Sequence, residues 1–251
     1  MRRAICRLAA LAMTGASVSP ALAACNDAPT RGVNWFNCNL QDAELAGANL
    51  EGALLGRSRL DGADLSNTQL RRADLTNISG VGVNLRRANL AQARLSSSDL
   101  TEADLTESNL REARAGRAIL NGAQLSGVRG GNGLELSSAQ MREAHLDGAK
   151  LRGASLRRSE LRGLHAPEVE LSGANIQSAD LEGANLEGAR LQEANLQDAS
   201  LIEVDLSGAE LDHADLRGAD ISEARFESAS LSNTLWVDGR RCRPGSVGTC
   251  E

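Results

Sequence analysis

From Leu171 to Leu231 a large apolar residue returns at every fifth position, and a small one, usually Ala, stands two residues before it. The same spacing runs back through most of the chain. Large positions fall from Leu40 to Leu75, from Leu85 to Leu110, and at Leu120 and Leu125. After a slip of one residue they resume from Leu136 to Leu161. A period of five suits neither regular element. On an α-helix, residues five apart are rotated by about 140° and make no stripe. On a continuous strand an odd period sends successive Leu to opposite faces. The pattern works if each pentapeptide is a short extended piece followed by a turn. The small and large residues then point inward, and the Asn or Asp between them points out. The next two residues turn the corner, a role that Ser-Gly, Glu-Gly, Arg-Gly and Asn-Gly suit. Repetition of one turn gives a coil that stacks on itself, an all-β solenoid.

Ala63-Asp64-Leu65, Ala88-Asn89-Leu90 and Ala184-Asn185-Leu186 resemble the A-[DN]-L-x-x motif of the pentapeptide-repeat proteins, and the resemblance spans about Leu40 to Trp236. It implies a right-handed quadrilateral parallel β-helix with four pentapeptides per coil. Nine or ten such coils would make a rod roughly 45 Å long at the ~4.8 Å spacing of paired strands. Interruptions of the pattern follow packing logic. Gly80 takes a large position between Ile78 and Val83, and Ala166 does so between Leu164 and Val169, so bulk moves to the neighbouring inward sites. Ala115 has only Ala113 and Ala118 beside it, and looser packing is expected there. The run Gly127 to Gly133 carries the slip and is expected to form a bulged corner, the candidate hinge between two halves.

Composition supports a narrow, regular core, since the chain is 41% hydrophobic but only 2% aromatic. The first residues read as an export signal. Arg2, Arg3 and Arg7 precede a short apolar run and the A-x-A site Ala21-Leu22-Ala23. Four cysteines remain after its removal, one pair near each terminus, and their even number suggests local disulfides Cys25–Cys38 and Cys242–Cys250. Leu22-Ala23-Ala24-Cys25 also resembles a lipobox, which would instead make Cys25 a lipid anchor. No stretch is long enough for a membrane span. Trp35 and Trp236 are in phase with the large positions and read as plugs on the end coils, which must be blocked against edge-to-edge pairing. The expected organisation is a signal peptide at 1–23, an N-terminal cap at 24–39 and repeats at 40–126. A glycine-rich break at 127–135, repeats at 136–236 and a disulfide loop at 237–251 complete it.

Candidate chemistry is sparse. The glycine run lacks the Lys-Ser/Thr of a phosphate loop, and no hydrolase or metalloprotease motif occurs. His145 and His165 are twenty residues apart and would stack on adjacent coils, with Asn185 and Asp205 continuing the column. They are read as exposed bystanders, with no metal or cofactor expected. His213 lies in another phase. Without the signal the formal charge is 24 − 33 = −9, which argues against nucleic-acid binding. Acids outnumber Arg190, Arg217 and Arg225 from Leu171 to Leu231, and Asp180, Glu182, Glu203, Asp220 and Glu223 are the candidate surface for a basic partner. The functional expectation is an exported, non-enzymatic scaffold or protein-binding rod, periplasmic or secreted. The family resemblance implies an alternative, a DNA mimic acting on DNA gyrase, which an export signal disfavours.

Overall fold

The computed structural model describes residues 25–251, so the expected signal peptide lies outside the described residues. The chain winds into a four-sided stack of coils. Each pentapeptide contributes one residue to a parallel β-bridge with its counterpart one coil on, and four columns of bridges run along the stack. We name each column by its first residue: Asn34, Asn39, Glu44 and Asn49. The Asn34 column makes ten successive parallel bridges, ending at Leu235. Pairing therefore starts at Asn34, six residues before the first repeat expected from the sequence, and the N-terminal cap is correspondingly shorter.

One pentapeptide shows why the sequence winds this way. Leu50 and Ala53 are fully buried. The Ala53 amide donates to the Leu50 carbonyl at 3.0 Å, closing a β-turn over Glu51 and Gly52. Gly52 has φ 69°, the left-handed third position of a type II turn. Amides of Leu50 and Gly52 then donate to Gln69 and Arg71 carbonyls of the next coil at 2.8 and 2.9 Å. Most corners of the stack repeat this geometry, and many of them do so without glycine. Non-glycine residues at this position hold φ between 54° and 62°. A left-handed L-residue costs about 1–2 kcal/mol, and the coil-to-coil hydrogen bonds of each corner offset it.

The Asn or Asp of each motif has a role beyond pointing outward. Its side chain accepts the amide two residues on, as from Ser66 to Asp64 Oδ1 at 2.9 Å, Arg86 to Asn84 at 3.1 Å and Glu187 to Asn185 at 3.0 Å. Such Asx turns favour the corner over a straight continuation.

The break is a single inserted residue within the stack. Bridge spacing rises from twenty to twenty-one residues only where the chain passes Gly131, as in Arg114 with Glu135, and returns to twenty at Glu135 with Ser155. Val128 and Leu134 on either side are fully buried, so the core runs through. Gly130 occupies a large position, and a Cβ there would lie 2.4 Å from Leu134 Cδ2, whose bulk fills the place. Gly80 is compensated in the same manner, by Val83 and Leu100 at 3.3 and 3.2 Å. Compensation at Ala166 is less complete. A cavity of about 10 Å³ is lined by Leu164, Ala166, Val169 and neighbouring apolar side chains.

At the C-terminal end the chain reverses. Ser230 pairs with Val247 and Leu235 with Arg241 in antiparallel fashion, so the tail covers part of the last coil's open edge. Trp35 is buried in the first coil. Trp236 is only partly buried and lies beyond the last parallel bridge, tilted against Phe226 with ring centroids 5.4 Å apart. Closure of that end thus falls to Phe226, Trp236 and the tail together, rather than to a single in-phase Trp. The sulfurs of Cys25 and Cys38, and of Cys242 and Cys250, lie at disulfide distance. No helix among the described residues is long and apolar enough to cross a membrane.

Leu186 is fully buried and Glu187 on the adjacent corner is exposed. Leu186→Asp should therefore unfold the surrounding coils, costing at least about 4 kcal/mol for a charge buried without a partner. Glu187→Lys should shift the melting temperature by no more than a degree or two, and thermal denaturation of the pair would test the inward and outward assignment.

Candidate functional site

Outward side chains obey their own register. The first corner residue of one coil reaches the bridge residue of the next, eighteen positions on. Asp61 accepts from Ser79 at 2.5 Å, Arg86 meets Asp104 at 3.1 Å, Arg142 meets Glu160 at 2.8 Å and Gln197 donates to Asp215 at 2.5 Å. This cross-coil step organises both regions in which the sequence suggests function.

The first region is the Asn39 column and the corner that follows it. All five candidate acids lie here: Asp180 and Asp220 at bridge positions, Glu182 at a first corner position, Glu203 and Glu223 at second ones. The structure divides them. Arg162 Nε contacts Asp180 Oδ2 at 2.6 Å and its Nη2 contacts Glu182 Oε2 at 2.9 Å, so the upstream two share one guanidinium. Beyond Arg162 the corresponding corner residues are Glu182, Ile202 and Ser222, none of them cationic. Glu203, Asp220 and Glu223 make no ion pair among the described residues. Asp220 accepts from the Ser222 hydroxyl at 2.6 Å and from its amide at 3.0 Å, and these bonds hold its carboxyl below the usual range. Other acids of these coils are dispersed round the remaining sides and largely engaged. Asp205 pairs with Arg225, Asp215 with Arg217, and Glu210 accepts from Gln192.

The second region is in the Glu44 column. His145 and His165 bridge successive coils, with ring centroids 5.3 Å apart and planes tilted by 59°. Asn185 and Asp205 follow in the column as the spacing implied. The sequence reading missed a third member. Asp147 Oδ1 lies 3.2 Å from His165 Nε2, and its Oδ2 accepts from Ser126 Oγ at 3.2 Å. One ligand-capable atom from each of His145, Asp147 and His165 lies within 4.8 Å of the others. The signal was the eighteen-residue step, which joins a corner residue to the bridge residue ahead. His213 stands at a second corner position with φ 62° and does not join them.

The profile of the family described as pentapeptide repeats matches residues 38–77, 81–114, 135–165, 170–208 and 199–235. The chain belongs to the pentapeptide-repeat family. Among solved structures it is similar to HetL, a pentapeptide repeat protein involved in heterocyst differentiation regulation from the cyanobacterium Nostoc sp. strain PCC 7120. That likeness has 31% identity and a TM-score of 0.57, and covers 84% of this chain and 92% of that one. A trypsin-treated QnrB1, a plasmid-mediated fluoroquinolone resistance protein, matches at 17% identity and a TM-score of 0.32, over 78% of this chain and 90% of that one. No curated protein matches.

The surface electrostatics predict an acid limb of stability. Arg217 donates to Asp215 from Nε at 2.9 Å and from Nη2 at 2.7 Å, and with Gln197 this outweighs partial burial and holds the Asp215 carboxyl down at about 2. An unfolded Asp titrates near ~3.9. The folded value is the lower one, so this contribution is fully present above about pH 4 and is lost as pH falls through about 2. Melting temperatures of the native protein and Asp215→Asn, compared between roughly pH 5 and pH 2, should differ most at the upper end and converge at the lower.

Proposed function

We propose that the protein is an exported, non-enzymatic rod, a right-handed quadrilateral parallel β-helix that binds a protein partner through its sides. The observation that carries the reading is the arrangement of polar side chains in four long, regular columns over one continuous Leu and Ala core. Such a body offers extended, evenly spaced contact surface rather than a concave pocket. Among the described residues, the cavity beside Ala166 is apolar and about 10 Å³, room for little more than a water molecule. Export is supported by the basic and apolar leader at 1–23. It is supported further by cysteine pairs at disulfide distance at both ends, which suit an oxidising compartment, periplasmic or extracellular. A Cys25–Cys38 disulfide is incompatible with a lipid on Cys25, so the lipoprotein reading is disfavoured.

The docking surface we assign is the unneutralised end of the Asn39 column, where Glu203, Asp220 and Glu223 project without a cation to pair them. A partner with a basic patch is the complementary chemistry. Mimicry of DNA, the reading that the family resemblance offers, is less well supported. A mimic needs rows of unpaired acids at phosphate-like spacing, and here Asp205 and Asp215 each pair with an arginine while Asp180 and Glu182 share Arg162.

Chemical cross-linking of envelope fractions, followed by capture of the protein under native conditions, should recover one partner in amounts close to those of the protein itself. The triple substitution Glu203→Lys, Asp220→Lys, Glu223→Lys should cut recovery at least tenfold while leaving the melting temperature within a few degrees, because all three are exposed side chains. Equal recovery with the triple variant would move the docking surface elsewhere. Accumulation in the cytoplasm with the leader intact would refute export.

A further inference from the structure

We infer that His145, Asp147 and His165 form a binding site for a divalent transition-metal ion of the zinc class. The inference stands independently of the partner-binding reading, because it rests on a different side of the rod.

Backbone geometry brings the three together. The two histidines are fixed at bridge positions of adjacent coils, and Asp147 is fixed by the corner that Leu146 begins. Its carboxylate is already oriented. Ser126 Oγ holds Oδ2, which leaves Oδ1 facing His165 Nε2 at 3.2 Å. An outer hydrogen bond of this kind is what keeps metal-bound carboxylates in place. At the five Asp and Asn positions of the column, Asp64, Asn84, Asp104, Asn185 and Asp205, the bridge side chain is occupied by its own corner, each accepting the amide two residues on. His165 has no such duty. The residue two positions on is Pro167, which carries no amide hydrogen. Its imidazole is thereby left to face Asp147 and His145.

The donor set selects the ion. Two imidazoles and one carboxylate are ligands for zinc and its first-row neighbours, whereas calcium and magnesium take oxygen ligands. Zinc holds such atoms at about 2.0–2.2 Å in a tetrahedron, which puts ligand atoms about 3.3 Å from each other. The three atoms here lie within 4.8 Å of one another, so rotations of side chains already at the surface are enough to close the set. His165 and Asp147 keep 43% and 42% of their side-chain surface accessible, which leaves a fourth position open to water or to a donor from another molecule. Cysteines do not compete, since all four described ones are paired at disulfide distance.

Calorimetric titration of the non-reduced, EDTA-treated protein with Zn²⁺ alone should find one ion per chain with micromolar affinity or tighter. Mg²⁺ should give no heat at the same concentrations. His145→Gln, Asp147→Asn and His165→Gln should each weaken binding at least tenfold, and His213→Gln should leave it unchanged. The histidine variants of the pair should fold, because Gln124 and Asn185 carry amide side chains in the same column; unchanged circular dichroism and melting temperature without metal would verify this for all four variants. Co²⁺ in place of Zn²⁺ should give the intense visible absorption of a tetrahedral site. Absence of one-to-one binding, or equal affinity in a His145→Gln, His165→Gln double variant, would reduce the cluster to a surface His–Asp contact and overturn the inference.

Discussion

The stack depends on the hydrogen bonds that each coil donates to the next. Away from the inserted residue and the last coil, a pentapeptide commits its large residue and its second corner residue to amide donation upward, and its bridge residue to donation downward. These bonds fix the register of all four sides together. They also permit the corners, because a left-handed Arg87 or Glu107 is uncomfortable alone and is held by amide bonds to Thr106 and Ser126 of the following coil at 2.9 and 3.0 Å. The apolar core adds stability, but it is the ladder that requires twenty residues per turn. When a twenty-first residue enters, it must leave the ladder, and it does so as Gly131 with φ 91°, outside the bridging positions.

Side chains inherit the register. A residue on the outside has few partners available: its own corner two residues on, the next bridge residue eighteen on, and its like one coil on. This short menu explains why charges are dispersed rather than clustered. Most acids meet an arginine, a glutamine or a serine at one of those three offsets. The acids that remain unmatched do so because the sequence ceases to supply a cation at the required offset, as after Arg162.

The core was legible in the sequence because one residue class marks one direction. Leu at every fifth place and Ala two before it determine what is buried, and the structure follows them from Leu50 to Leu216. Legibility fails where function or closure depends on a relation between coils. Asp147 stands two residues from His145 but eighteen from His165, and only knowledge of how corners project joins it to both. Leu134 was hidden because the slip displaced it into a small position, where it fills the gap above Gly130. The antiparallel tail was hidden too, since its residues carry no five-residue period and their pairing to Ser230 and Leu235 is a matter of three-dimensional return.

That reversed tail has a consequence for how such a chain can change over generations. Coils in the middle of the stack are interchangeable in backbone terms, each receiving and passing on the same set of amides. Duplication or loss of a twenty-residue segment would therefore lengthen or shorten the rod and leave its terminal coils as they are. The C-terminal end admits no such growth, because the strand direction there has turned round and the next donor row is no longer offered in parallel. Length is thus free to drift in the interior while the terminus stays closed, and any outward site that needs two coils, such as the histidine pair, keeps its geometry wherever in the stack it is carried.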